Sequence, residues 1–329
     1  MKIASCYYPT TVVAIDDDQR VLKGLRFKLG KTLPCLTFDS SEQALNFLTH
    51  EYQPNPFTQR VLLRPEQIAL EHRAIDIDIR AIHREIYNPK RFSEISVVIV
   101  DYAMPGLNGA ELCKRLKGLP YKKIMLTGEG SYDLAVNLFN EGIIDKFILK
   151  SSTATLMQNV IAAVEEMQQQ YFFDLSEVII TSLTKDPNYT PAYLDDPAFV
   201  ALFHQVKQQI KAIEYYLMDG FGSFFFLDAA GHPSWLAVQN ELEMQGWTET
   251  GEDAPAEIVK SMQQREKILY LHTDEDFQRH PAEWQSYLHP AKQLQGRELY
   301  YYALITGKQV YDIKPNQILA YNSYLASLP

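Results

Sequence analysis

The chain has 329 residues, 46% of them hydrophobic and 22% charged, which is an ordinary globular composition long enough for about two domains. No apolar run reaches the roughly 18–20 residues of a membrane span, and the N-terminus lacks the apolar core of a signal peptide, so a cytoplasmic protein is expected. Three cysteines (Cys6, Cys35, Cys113) make a disulfide framework improbable. The net charge of −10 is uneven. Residues 1–174 hold 20 Lys and Arg against 21 Asp and Glu, net −1; residues 175–329 hold 11 against 20, net −9. An acidic C-terminal half argues against a large nucleic-acid footprint there, because phosphate binding rests on clustered Lys and Arg.

Four short apolar segments each end in a reactive residue. Thr11–Ile15 stops at Asp16, Asp17 and Asp18; Ile95–Val100 stops at Asp101; Lys123–Leu126 stops at Thr127; Lys146–Leu149 stops at Lys150. Near-continuous apolar strands of this length indicate a parallel sheet buried on both faces. Helical patterns lie between them, over Gln19–Leu29, Ser41–Leu48, Ala110–Leu116 and Tyr132–Asn140. The alternation predicts a doubly wound α/β domain. In such a sheet, sites form outside the carboxyl ends of the strands. Any single Asp after a strand is more simply a turn residue or helix cap. Asp16, Asp17, Asp101, Thr127 and Lys150 as a set at successive strand ends are harder to ascribe to capping. Clustered carboxylates repel one another unless a cation joins them, and Mg²⁺ suits oxygen ligands. An Asp carboxylate can then act as a nucleophile toward phosphorus, with a Lys ammonium and a Thr hydroxyl taking the phosphoryl charge.

Together, Val13–Asp18, Val98–Gly109, Met125–Gly128 and Asp145–Lys150 resemble the receiver domain of two-component response regulators. The resemblance implies a CheY-like five-stranded fold with Asp101 as phosphoacceptor. It implies Mg²⁺ held by Asp16, Asp17, Asp101 and the carbonyl of Ala103, with Thr127 and Lys150 contacting the phosphoryl group. Phe147 stands at the family's aromatic switch, coupled to Thr127. A histidine kinase or phosphotransfer protein is the expected donor, a homodimer the expected assembly, and no metabolic enzyme activity is expected. Two features depart from the pattern. Ser151 follows the Lys where the family has Pro, and 84 residues separate Asp17 from Asp101.

That spacing implies an insertion at about residues 51–90 within a receiver domain of residues 1–152. Ile68, Ile75, Ile79, Ile82 and Ile86 form a helical stripe that packs on the protein itself or on a partner. His72 and His83, near Asp76, Asp78 and Glu85, lack metal-ligand spacing. Helical character runs from Thr153 to about Thr184 within a connecting segment, 153–190, and an output domain spans 191–329. Here a helix with Phe199, Val200, Phe203, Val206, Ile210 and Ile213 is expected, then a hairpin of Phe224–Asp228 and Ser234–Val238. Helix over Pro255–Arg265, strand over Lys267–His272, helix over Pro281–Leu288, strand over Leu299–Ile305 and a closing helix over Pro315–Leu325 complete an α+β domain with a small antiparallel sheet. It carries no helix-turn-helix, cyclase or P-loop signature. The dense aromatics read mainly as core, with nucleotide or ligand stacking as the alternative. Its hairpin is loosely similar to that of PAS-type sensors, and the whole layout is similar to response regulators of the Lqs quorum-sensing type. Signalling by protein contact is the first reading of this domain. A nucleic-acid-binding regulator and an output enzyme are the alternatives.

Overall fold

The computed structural model describes residues 2–52, 82, 84–128, 132–150, 153–183, 191–250, 255–271, 278, 280–307 and 313–328. The chain packs as two compact units. One contains the described residues among 9–60, 90–175 and 324–329; the other contains those among 1–8, 61–89 and 176–323. Strands are numbered in chain order: β1 (Cys6–Tyr7), β2 (Thr11–Ile15), β3 (Cys35–Phe38), β4 (Ile95–Asp101), β5 (Lys122–Thr127) and β6 (Lys146–Leu149), then β7 (Ala212–Leu217), β8 (Phe224–Asp228), β9 (Pro233–Asn240), β10 (Lys267–Leu269), β11 (Leu288–Pro290), β12 (Lys292–Gln295) and β13 (Leu299–Thr306).

The first unit is a five-stranded sheet in the order β3-β2-β4-β5-β6, and every pair is parallel. Side chains alternate between its faces. Val12, Ala14, Val97, Ile99, Ile124 and Leu126 face helix Gln19–Leu29 and the first half of helix Thr153–Leu183. Val13, Ile15, Val98, Val100 and Met125 face the helices Ser41–Asn46, Gly109–Arg115 and Tyr132–Asn140. Both faces are covered, so the strands carry almost no exposed polar positions. The sequence expectation located four of the strands, and β3 is the fifth. It lies at the sheet edge and is only partly buried, which removes the apolar signal.

The helical run expected from Thr153 is one 31-residue helix, Thr153–Leu183. Gln168 and Tyr171 on this helix reach other parts of the first unit. Gln168 Nε2 donates to Thr10 Oγ1 at 2.7 Å, and Tyr171 hydroxyl donates to Glu94 Oε1 at 2.5 Å. The inserted segment ends in a 3₁₀ turn, Glu85–Tyr87, with Ile82 and Ile86 fully buried. The rest of its stripe (Ile68, Ile75, Ile79), with His72, His83, Asp76, Asp78, Ser151 and His272, lies outside the described residues.

The second unit is built on a six-stranded antiparallel sheet, β1-β7-β8-β9-β13-β12. Tyr215, Tyr216, Phe224, Phe225, Phe226, Trp235, Tyr300 and Tyr301 are buried. Phe203 packs on Phe224 at 4.8 Å and Tyr215 at 4.9 Å between ring centroids, and Phe225 packs on Trp235 at 4.8 Å. The β8–β9 hairpin forms as expected. Asp228 Oδ1 accepts from the backbone N–H groups of Ala230 and His232, each at 2.9 Å. Four expectations fail. The strand expected over Lys267–His272 ends at Leu269, and the helix expected over Pro281–Leu288 is a 3₁₀ stretch, Pro281–Tyr287. The helix predicted to reach Ile213 stops at Gln209, because Lys211 adopts φ +53° and Ile213 enters β7. The closing helix is two pieces, a 3₁₀ turn Pro315–Gln317 and helix Tyr321–Ser327. The helix Glu241–Thr250 was not foreseen.

Glu243 on that last helix has a buried carboxylate oxygen, Oε2, with no hydrogen-bond partner among the described residues. Burial, and secondarily the nearby Asp219 charge, hold its pKa well above the usual carboxylate value. A carboxyl whose folded pKa is raised binds protons more readily in the native than in the unfolded state. Its contribution therefore favours the fold at low pH and is lost as pH rises from the unfolded value of about 4.5 through the raised one. Glu243→Gln is expected to raise the melting temperature at pH 8 and leave it nearly unchanged at pH 4. Parallel melting curves at the two pH values check this.

Candidate functional site

The parallel register delivers Asp16, Asp101, Thr127 and Lys150 to one edge of the sheet. β2 and β4 pair through Ile15↔Val100, so Asp16 and Asp101, the next residues along, finish side by side. β4 and β5 pair through Asp101↔Leu126, which puts Thr127 one step beyond. Thr127 and β6 pair at Leu149, and the Lys150 N–H donates to the Thr127 carbonyl at 2.7 Å.

Asp16 is 1% exposed and Asp101 3% exposed, while Asp17 is exposed. One carboxylate oxygen from each of Asp16, Asp17 and Asp101 lies within 4.8 Å of the others. Among the described residues this is the one grouping of three or more metal-ligand side chains. Lys150 Nζ bonds Asp101 Oδ1 at 2.8 Å and Asp16 Oδ2 at 3.2 Å. Asp16 Oδ1 also accepts the Asp18 N–H at 2.8 Å. Burial raises the Asp16 pKa; the Asp18 N–H bond opposes the rise, the Asp101 charge adds to it, and Lys150 works against it. Burial alone would lower the Lys150 pKa, but its bonds and charge interactions with Asp101 and Asp16 carry it above the ordinary value.

Asp18, third in the acidic run, has the simple role. It caps helix Gln19–Leu29, accepting the Arg20 N–H at 2.8 Å, and its bonds to Arg20 hold its carboxyl down to about 2. Thr127 is fully buried, and its hydroxyl donates to the Gly128 carbonyl at 3.2 Å. Ala103 is exposed in the loop after β4. Phe147 is half-buried, edge-on to Tyr132 at 5.6 Å and to Phe139 at 6.4 Å. Those two aromatic neighbours were not singled out from sequence; their signal was Tyr132-x₆-Phe139 on a single helix.

Glu42 is a further residue that sequence reasoning missed. Its Oε1 accepts the Leu107 N–H at 3.1 Å, bracing the loop that follows Asp101. In that loop Gly106 takes φ +73°, and Asn108 caps helix Gly109–Arg115 by accepting the Glu111 N–H at 2.9 Å. Gly109 packs directly beneath Asp101. A Cβ there would stand 2.1 Å from the Asp101 carbonyl oxygen and 3.0 Å from Tyr102 Cα.

A buried acid pair sharing one lysine at the carboxyl ends of a five-stranded parallel sheet defines a receiver domain, and the chain belongs to the response regulator family. The model of the response regulator receiver domain matches residues 67–162. The response regulator LqsR of Legionella pneumophila is similar over 99% of this chain and 96% of its own, at 33% identity and a TM-score of 0.80. An adenylate cyclase structure from Rhodopirellula baltica aligns with 54% of this chain and 98% of its own, at 22% identity and a TM-score of 0.36. A receiver domain protein from Clostridium thermocellum aligns with 52% and 98%, at 19% identity and a TM-score of 0.31. No curated protein sequence matches the chain. Among the described residues no helix is long and apolar enough to cross a membrane.

Gly109→Ala is expected to cost about 1–3 kcal/mol, because the new methyl group forces the backbone that carries Asp101 to shift. Urea unfolding should show a lower midpoint at unchanged slope.

Proposed function

We propose that Asp101 accepts a phosphoryl group from a histidine kinase or a phosphotransfer protein, and that the chain thereby relays a two-component signal. The observation that carries this reading is the Lys150 ammonium bonded to both Asp101 and Asp16. An Asp101 carboxylate oxygen attacks the phosphorus of a phosphohistidine. The O–P bond forms as the P–N bond breaks, and the imidazole nitrogen keeps the bonding pair and takes a proton. Lys150, already on Asp101 Oδ1, follows the charge onto a phosphoryl oxygen. Thr127 turns its hydroxyl from the Gly128 carbonyl to a second phosphoryl oxygen.

The donor set fits Mg²⁺: three carboxylates within 4.8 Å supply hard oxygen ligands, and one lysine leaves their charge incompletely matched. Asp16, Asp17, Asp101 and the Ala103 carbonyl would hold the ion, which supplies positive charge against the phosphoryl oxygens when bound.

Movement of Thr127 leaves room for Phe147 to turn inward, away from Tyr132 and Phe139, which remodels the outer face of β6 and its neighbouring helix. The output, read as residues 191–329 beyond a connecting segment at 153–190, acts through protein contact or homodimerisation. Its net negative charge supports that choice over nucleic acid. The receiver catalyses its own phosphorylation and is not otherwise an enzyme.

Labelling with acetyl phosphate and Mg²⁺ tests the assignment. Asp101→Asn should lose the label. Lys150→Met should accept it about 10²–10³ times more slowly. A fully labelled Asp101→Asn variant would place the acceptor elsewhere. Mg²⁺ should also raise the melting temperature of the unmodified protein and leave that of Asp16→Asn unchanged. An equal rise in both would remove Asp16 from the metal site.

A further inference from the structure

The receiver sheet has a second concave feature, at the end of the strands opposite the acidic site. A cavity of about 620 Å³ opens there, lined by the first residues of two parallel strands, Thr11 of β2 and Ile95 of β4. Small-molecule sites commonly span roughly 300–1,000 Å³. Leu33, Pro34 and Leu36 line it from the β3 side. Phe47 and Tyr52 line it from the turn before the insertion, and Tyr324, Leu325 and Leu328 from the end of the chain.

Its charge is the reverse of the molecule's. Arg26 and Lys31 line the cavity, and none of its described lining residues is Asp or Glu, in a chain of net charge −10. Lys31 Nζ stands 4.5 Å from the centroid of the Phe27 ring, which is 64% exposed. Burial pushes the Cys35 thiol up to about 11, and the Arg26 charge works against that rise, so the guanidinium is close enough to act on the cavity wall. Leu36 and Leu328 are 42% and 38% exposed, so large apolar side chains lie open beside the two cations.

We propose that this cavity binds a small amphiphile with an apolar chain and one anionic head, of the class of medium-chain carboxylates, with Arg26 and Lys31 taking the head group. The apolar chain then lies against Leu33, Leu36, Ile95, Leu325 and Leu328. The wall formed by the chain's end is already anchored, since the Tyr324 ring lies 5.2 Å from that of Phe92 and its hydroxyl bonds Thr11. The inference does not depend on the phosphorylation reading.

The probe is sodium decanoate, used below its micelle concentration on the full chain, with decanol as the uncharged counterpart. In protein labelled at Leu and Ile methyl groups, decanoate should give saturable shifts at Leu33, Leu36, Ile95, Leu325 and Leu328. Decanol should bind about tenfold more weakly. Arg26→Ala and Lys31→Ala should each weaken decanoate about tenfold and keep a cooperative urea unfolding transition, which shows that the variants are folded. Leu36→Trp, an exposed position, should narrow the cavity and weaken both probes. Equal affinity for decanol and decanoate, shifts scattered away from the cavity, or charge variants that bind like the parent protein would each overturn the proposal.

Discussion

The receiver site depends on one shared ammonium. Two nearly buried carboxylates end adjacent strands, and two unit charges 4 Å apart at an effective dielectric of 20 interact by about 4 kcal/mol. Lys150 touches both, so a single cation offsets the repulsion and the burial of each acid. The compensation is incomplete, because Asp17 adds a third carboxylate to the group. The residual negative potential at this edge makes it a place for additional positive charge. The same lysine therefore sets the charge balance of the whole site.

Keeping that arrangement in place falls to the backbone. The central strands are buried on both faces, and the parallel register of the sheet fixes where each strand ends. Gly109 lets the following helix start directly under the Asp101 carbonyl, and Glu42 braces the intervening loop through the Leu107 N–H. These features surround Asp101 with groups that a small displacement would strain. Thr127 and Phe147 differ. The Thr127 hydroxyl makes a local bond to the next residue's carbonyl, and Phe147 is only half-buried between Tyr132 and Phe139. Residues held by local contacts thus adjoin ones braced across the fold.

This division explains what could be read from sequence. Strands such as Ile95–Asp101 announce themselves because burial on both faces demands an unbroken apolar run, and the polar residue that ends each run then stands out. β3 lacked that signal as a partly exposed edge strand. β1 is two residues long and exists through pairing with β7, more than 200 positions away, a relation no local pattern encodes. Ile213 continued a helical spacing that Lys211 breaks by its left-handed conformation, a backbone choice that composition does not reveal. Glu42 was missed because its contact is with a backbone N–H across the fold, whereas Asp18 and Asn108 cap helices within their own segments.

In the second unit many acids and phenols serve the fold itself. Tyr216 hydroxyl donates to Glu214 at 2.7 Å, Tyr300 to Asp196 at 3.1 Å and Tyr301 to Glu241 at 2.8 Å, and Glu241 also pairs with Arg265. Asp228 is used by its own turn, and Asp219 accepts the backbone N–H groups of Phe221 and Ser223 and the hydroxyl of Tyr270. Such pairs satisfy buried polar groups, and burying them unpaired would cost the unit stability. They also carry no sequence spacing that distinguishes them from catalytic pairs, which is why this half of the chain reads as chemistry-rich and yields no motif. Glu243 is the exception among the described acids, with one buried carboxylate oxygen that no described residue pairs.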